Sequence, residues 1–247
     1  MSGPPRVLLH GFLGRGHDFG SWGEQALALD LPGHGNQPSL AEGATFDNVV
    51  DATRERIRSA LGDESYDLVG YSMGGRIALG LLARGTDPIR RAAIAGAHPG
   101  IESPAERAGR ALRDRRLAER IRSTPLPTFL AEWYQQPLFG RLHQHPEFAR
   151  WVEQRAKNDP QGLAGALLTY GTGRQPPLWD PLAKSKSPIL LIAGALDSKY
   201  IELNTRLADH CATARCHVIP DAGHSVHIEQ PAQFRRVVDD FLAGHQE

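Results

Sequence analysis

Gly70-Tyr71-Ser72-Met73-Gly74 stands between an apolar run, Tyr66-Asp67-Leu68-Val69, and a run of good helix formers, Arg76-Ile77-Ala78-Leu79-Gly80-Leu81-Leu82-Ala83. The first run predicts a strand and the second a helix. A serine with glycine two residues away on each side can occupy a sharp turn between them, where a larger neighbour would collide with the returning backbone. Such a turn exposes the hydroxyl at the end of the strand and aims the unpaired N–H groups of the helix at whatever the hydroxyl touches. The pentapeptide therefore predicts a nucleophile elbow, with the chemistry at the carboxyl edge of a sheet.

Outward from the elbow, strands and helices alternate. Arg6 to His10 and Ala26 to Leu31 read as strands, and Thr45 to Leu61 as a helix whose apolar residues Phe46, Val49, Val50, Ile57 and Leu61 fall near helical spacing. Arg90 to Ala97, Pro188 to Ala193 and Arg215 to Pro220 are further strands, with helices near Tyr200 to His210 and Pro231 to Ala243. This order predicts an α/β fold: a mostly parallel sheet covered by helices on both faces.

Residues 101–175 interrupt the alternation. Ser103-Pro104-Ala105-Glu106 is a helix start, with serine to cap, proline at the first position and glutamate placed to close a capping box. Further helices are expected near Pro127 to Tyr134, Pro146 to Asn158 and Gln161 to Tyr170. An all-helical insert of this kind reads as a lid, so residues 1–100 and 176–247 are expected to form the core and residues 101–175 the lid. The lid stretch holds twelve Arg and Lys against eight Asp and Glu, while the rest holds sixteen against twenty. Most such arginines line solvated helix faces, but a basic cover over a serine site favours a small anionic substrate.

Composition narrows the classes. With 247 residues, 40% hydrophobic and 23% charged, the chain suits one large domain with an insertion. Zero formal net charge points to neither nucleic acid nor a membrane surface. Met1 to Arg6 runs at once into a strand, so no signal peptide is expected, and a cytoplasmic protein follows. Cys211 and Cys216 lie among His210 and His217, but Cys216 and His217 alternate along one strand and point to opposite faces. Two reduced structural cysteines are expected, with no metal and no cofactor.

A serine hydroxyl needs an imidazole to take its proton, and the imidazole needs a carboxylate to hold its tautomer. Gly194-Ala195-Leu196-Asp197 and Asp221-Ala222-Gly223-His224 each follow a predicted strand, which places Asp197 and His224 in loops at the same edge as Ser72. His227 is a rival base. Asp180, read as a cap before Pro181, and Asp221 are rival acids. His10-Gly11-Phe12 follows the first strand, so the N–H groups of Phe12 and Met73 can form an oxyanion hole. Asp30-Leu31-Pro32-Gly33-His34-Gly35 reads as a structural turn from which His34 can line the site.

Together these residues resemble the α/β-hydrolase superfamily, in which the triad follows in the order serine, acid, histidine. Leu9-His10-Gly11-Phe12-Leu13-Gly14, Gly70 to Arg76, Ala97-His98-Pro99-Gly100, Glu132-Trp133-Tyr134-Gln135-Gln136-Pro137, Asp197-Ser198-Lys199-Tyr200 and Ala222-Gly223-His224 resemble one branch. That branch is the 2-succinyl-6-hydroxy-2,4-cyclohexadiene-1-carboxylate synthases of menaquinone biosynthesis. The resemblance implies elimination of pyruvate from a cyclohexene bearing three carboxylates, with Ser72, His224 and Asp197 abstracting a proton. It implies Arg76, Arg110 and Arg155 as carboxylate clamps, and Tyr71, Trp133 and Lys199 as further substrate contacts. Arg76 also stands on its own spacing, four residues after Ser72 on one helix face. Arg15-Gly16-His17-Asp18 departs from the family pattern. Two other readings share these residues: a serine esterase or carbon–carbon hydrolase acting on an anionic substrate through an acyl-enzyme, and a non-catalytic small-molecule binding protein of hydrolase fold.

Overall fold

A computed structural model describes residues 3–20, 22–23, 26–140 and 142–245. Met1 and Ser2 of the N-terminal stretch, and Arg141 among the counted cations, lie outside these residues. The sheet is parallel throughout, in the order β2-β1-β3-β4-β5-β6. Its strands are β1 (Arg6–Leu9), β2 (Ala26–Leu29), β3 (Tyr66–Tyr71), β4 (Ile89–Ala95), β5 (Ile189–Gly194) and β6 (Ala214–Ile219). A 3₁₀ turn, Gly16–Phe19, lies between β1 and β2. Helix α1 (Phe46–Leu61) precedes β3, and α2 (Ser72–Arg84) leaves it directly.

The two-residue period of the strands sorts side chains between two cores. Val7, Leu9 and Leu68 join the cluster under α1 and α2, while Leu8 and Val69 join the opposite cluster with Phe234, Val238 and Phe241 of α10 (Pro231–Ala243). Every residue of β3 and β5 is buried, as expected for central parallel strands covered on both faces.

Between β4 and β5 the chain runs through α3 (Pro104–Ser123), α4 (Leu126–Trp133), α5 (Phe148–Arg155), α6 (Pro160–Tyr170) and α7 (Trp179–Ala183). Their apolar residues, among them Ile121, Phe129, Leu130 and Leu163, belong to the same cluster as the α1 and α2 face. The insert is thus packed onto the core rather than tethered beside it. Helix α5 is shorter than the expected Pro146 to Asn158, because the chain turns through residues 156–158 to cap α6 with Asp159. Helices α8 (Ser198–His210) and α9 (Val226–Glu229) follow β5 and β6.

Capping explains where two helices begin. Ser103 Oγ accepts the Glu106 N–H at 3.3 Å and Pro104 opens α3, so the serine half of the expected capping box is formed. A complete box occurs instead at α1, where Thr45 Oγ1 takes the Asn48 N–H and Asn48 Oδ1 takes the Thr45 N–H. Thr45→Ala removes half of that box, and chemical denaturation should show a loss of about 1 kcal/mol.

Candidate active site

The site is built from the elbow outward. Ser72 opens α2 at φ 48°, a left-handed conformation that costs a non-glycine residue on the order of 1–2 kcal/mol. The surroundings hold it there. The Gly74 N–H donates to the His10 carbonyl at 2.9 Å. A β-carbon on Gly74 would strike the carbonyl oxygens of Leu9 and His10, and one on Gly70 would lie 2.7 Å from the Gly75 Cα. Both glycines are therefore required by close backbone approach. The pairing Leu9↔Gly70 sets the loop after β1 beside the elbow.

His224, in the loop after β6, brings Nε2 to 3.3 Å from Ser72 Oγ and Nδ1 to 2.8 Å from Asp197 Oδ2. Because Asp197 accepts, Nδ1 carries the proton and Nε2 is left to face the serine. Asp197 caps α8, its Oδ1 taking the Tyr200 N–H at 3.4 Å. Glu229 holds the histidine loop, its two oxygens each accepting at 2.9 Å from Gly223 and Ser225, the residues on either side of His224. The rival acids stand elsewhere. Asp180 is not a cap but lies inside α7, exposed and 3.4 Å from His210, because Leu178 takes the capping position. Asp221 is an exposed turn residue at φ 54°. His227 packs its ring 4.2 Å from that of Tyr71.

Gly11 to Gly14 form a turn closed by Gly14 N–H to Gly11 C=O at 3.0 Å, with Leu13 at φ 68°. This is the type II pattern, whose third position usually holds glycine. His10 is buried, and its Nε2 accepts the Leu31 N–H at 2.9 Å, so Nδ1 carries the proton and donates to the Gly11 carbonyl at 2.7 Å. A trans peptide points its N–H away from its C=O, so the Phe12 N–H is directed away from His10. Met73 lies in the first turn of α2, where amides lack an intrahelical acceptor. Both residues line the cavity over Ser72. His34 does not line it; it is buried beside the His10 ring, because the turn Pro32 to Gly35 folds inward beneath Tyr170.

The structure gathers all six expected substrate contacts, Tyr71, Arg76, Arg110, Trp133, Arg155 and Lys199, around that cavity. Among the described residues it contains no lining carboxylate. The cations are not equivalent. Arg155 is paired with Asp18 at 2.9 Å, and Arg110 with buried Asp114 at 2.7 Å. Arg76 is 5% exposed and makes no ion pair among the described residues; it donates to the neutral Tyr170 carbonyl at 2.7 Å and Gln175 Oε1 at 3.4 Å. Burial first, and neighbouring Arg110 second, push the Arg76 guanidinium down to about 10. Burial and Arg110 likewise lower Lys199. Tyr71 hydrogen-bonds Ser225 Oγ at 2.9 Å, and Trp133 packs its ring 5.7 Å from that of Phe12.

Sequence reasoning missed Asp18, Asp114, Gln175 and Glu229, which hold the site's cations or loops. Of these only Asp18 had a signal, as part of the stretch that departs from the family pattern.

The sequence profile described as "Alpha/beta hydrolase family" matches residues 7–237. The chain is 37% identical over 234 residues to the 2-succinyl-6-hydroxy-2,4-cyclohexadiene-1-carboxylate synthase of Escherichia fergusonii, covering 93% of this chain and 90% of the relative. Among solved structures, MenH from S. aureus superposes with a TM-score of 0.90 at 31% identity, over 99% of this chain and 95% of that one. A malate-bound thermophilic esterase from Thermogutta terrifontis gives 0.83 at 25% identity, over 100% and 92%. The chain belongs to the α/β-hydrolase family and, within it, to the branch of the 2-succinyl-6-hydroxy-2,4-cyclohexadiene-1-carboxylate synthases.

Two histidines near the site give a pH prediction. Burial pushes His227 down to about 3. Burial, followed by Lys199, Arg76 and Arg110, pushes His98 down to about 4. Unfolded, each titrates at about 6.5 and binds its proton first, so stability is full above that pH and falls as pH drops toward the folded values. Denaturant melts should show about 1.4 kcal/mol lost per pH unit per histidine across this window. In His227→Gln the slope should be shallower by one proton.

Proposed function

We propose that this chain eliminates pyruvate from 2-succinyl-5-enolpyruvyl-6-hydroxy-3-cyclohexene-1-carboxylate, giving 2-succinyl-6-hydroxy-2,4-cyclohexadiene-1-carboxylate, as a carbon–oxygen lyase of menaquinone biosynthesis. The observation that carries this reading is Arg76, a buried guanidinium on the wall of the serine cavity that has no carboxylate partner among the described residues. Burying a cation among neutral acceptors is costly unless a counter-charge arrives. A substrate carboxylate supplies it, and a planar guanidinium can grip that carboxylate with two hydrogen bonds. Arg110, Arg155 and Lys199 extend the positive wall for the remaining carboxylates. Helices α3 to α6 are the lid that carries Arg110, Trp133 and Arg155 over the site. A small anionic metabolite of this kind fits a cytoplasmic enzyme; among the described residues no helix is long and apolar enough to cross a membrane.

In the reaction, His224 Nε2 takes the Ser72 proton while Asp197 steadies the imidazolium. Ser72 then removes the ring proton beside the succinyl ketone, and the Phe12 and Met73 N–H groups hold the enolate oxygen. The enolate reforms its carbonyl as a C2=C3 double bond forms, the ring double bond moves from C3=C4 to C4=C5, and the bond from C5 to the enolpyruvyl oxygen breaks. The leaving enolate takes the proton held on His224 at its methylene carbon to become pyruvate, which returns the triad to its resting state. Serine acts as a base, and no acyl-enzyme forms.

An ester hydrolase uses the same triad, and likeness to the Thermogutta esterase supports that second reading. On an anionic ester it too gives Arg76 a carboxylate to hold, so the two readings differ in the bond that breaks. A coupled pyruvate assay with authentic substrate decides between them. Pyruvate release should be robust and should fall by at least about 10³-fold in Ser72→Ala. Arg76→Ala should raise KM for the trianion by about 10- to 100-fold, the loss of one charge-assisted contact, while sparing any cleavage of a neutral aryl ester. Ester cleavage without pyruvate would overturn the lyase reading.

A further inference from the structure

Arg15-Gly16-His17-Asp18, unassigned by the sequence, is where the lid lands on the core. Three contacts from the end of α5 and the turn after it converge on this stretch and on Leu13 just before it. Arg155 pairs with Asp18, Arg15 Nη2 donates to the Lys157 carbonyl at 2.8 Å, and Asn158 Nδ2 donates to the Leu13 carbonyl at 2.9 Å. Asn158 is 4% exposed and makes two further bonds: Nδ2 to the Arg155 carbonyl at 3.0 Å, and Oδ1 from the Gly35 N–H at 2.8 Å. Its amide orientation is unambiguous, since a flip would set a donor against Gly35 N–H and an oxygen against two carbonyls.

The Leu13 carbonyl belongs to the same peptide plane as the Gly14 N–H, and the Gly11 carbonyl to the same plane as the Phe12 N–H. The Gly14 N–H donates to the Gly11 carbonyl. A continuous chain therefore runs from the Asn158 amide to the Leu13 carbonyl, through Gly14 N–H to the Gly11 carbonyl, and ends on Phe12 N–H. Successive hydrogen bonds in such a chain polarise one another and strengthen the last donor. The chain also accounts for Leu13. A buried leucine at φ 68° occupies a conformation that favours glycine, and the Asn158 bond to its carbonyl joins the Gly14–Gly11 turn bond in holding it there.

We propose that Asn158 is a positioning residue for the oxyanion hole, coupling the lid segment that carries Arg155 to the direction and donor strength of the Phe12 N–H. It touches no substrate. A carboxylate that draws Arg155 and its helix end into place tightens, through Asn158, the donor that stabilises the enolate. Recognition at the lid is thereby expressed in the chemical step. This inference rests on Phe12 and Met73 forming the oxyanion hole.

The test is a kcat-against-KM split in Asn158→Ala, Asn158→Asp and Arg15→Ala, with melting temperatures recorded alongside. For pyruvate release, both Asn158 variants should lose about tenfold or more in kcat, less than outright removal of an oxyanion donor. KM should stay within about twofold, since no binding contact is removed. Arg15→Ala breaks only an exposed contact of the same landing and should lose about threefold in kcat at unchanged stability. Cleavage of 4-nitrophenyl acetate, whose tetrahedral oxyanion uses the same hole, should fall in parallel. An unchanged kcat in folded Asn158→Ala, or a loss confined to KM, overturns the proposal. If Asn158→Ala does not fold, an unchanged kcat in Arg15→Ala overturns it instead. If the wild-type chain releases no pyruvate, the substrate reading fails, and the ester series alone decides on the relay.

Discussion

The hydrogen bond from Gly74 N–H to the His10 carbonyl joins the first turn of α2 to the end of β1, and the rest of the site depends on that contact. It requires a glycine at position 74 and the register Leu9↔Gly70 between β1 and β3. It also keeps Ser72 in a left-handed conformation that an isolated chain would abandon. With that turn set, the loop after β1 can lie nowhere but against the serine. The loops after β5 and β6 then need only deliver one carboxylate and one imidazole to the same edge.

Much of this was legible because local chemistry and global topology agree. The elbow glycines, the alternation of strands and helices, and the placement of Asp197 and His224 at strand ends are all short-range signals. Helix α10 has the expected limits, and the expected strands shift by one or two residues at one or both ends. The resemblance to the synthase branch added the particular cations, and the fold collects them around one cavity. The errors have a common cause. Asp180 beside Pro181 looks like a cap, but the helix begins earlier because Trp179 is drawn inward and donates to the Gly100 carbonyl at 2.9 Å. The turn Asp30 to Gly35 is structural, as its sequence indicates, but its option of placing His34 at the site is closed by Tyr170, far along the chain, which packs over it.

What sequence could not show is which charges are already matched. Twelve cations in the insert look alike on paper. Folded, Arg110 and Arg155 have resident carboxylates from Asp114 and Asp18, while among the described residues Arg76 donates to neutral oxygen atoms. Partnerships of this kind depend on residues up to 137 positions apart, as between Asp18 and Arg155, and no local pattern encodes them. The same holds for the Glu229 brace of the histidine loop, where proximity in sequence gives no hint that one carboxylate grips the amides on both sides of His224.

The unmatched guanidinium of Arg76 has a consequence beyond recognition. On the proposed function, a fold that buries a guanidinium with no ion pair among the described residues is completed by the molecule it transforms. Free energy released when a carboxylate docks is shared between affinity and the folded state, so the occupied enzyme resists unfolding better than the empty one. Substrate held at Arg76 therefore adds, on the proposed function, to the stability of the fold as well as to the reaction.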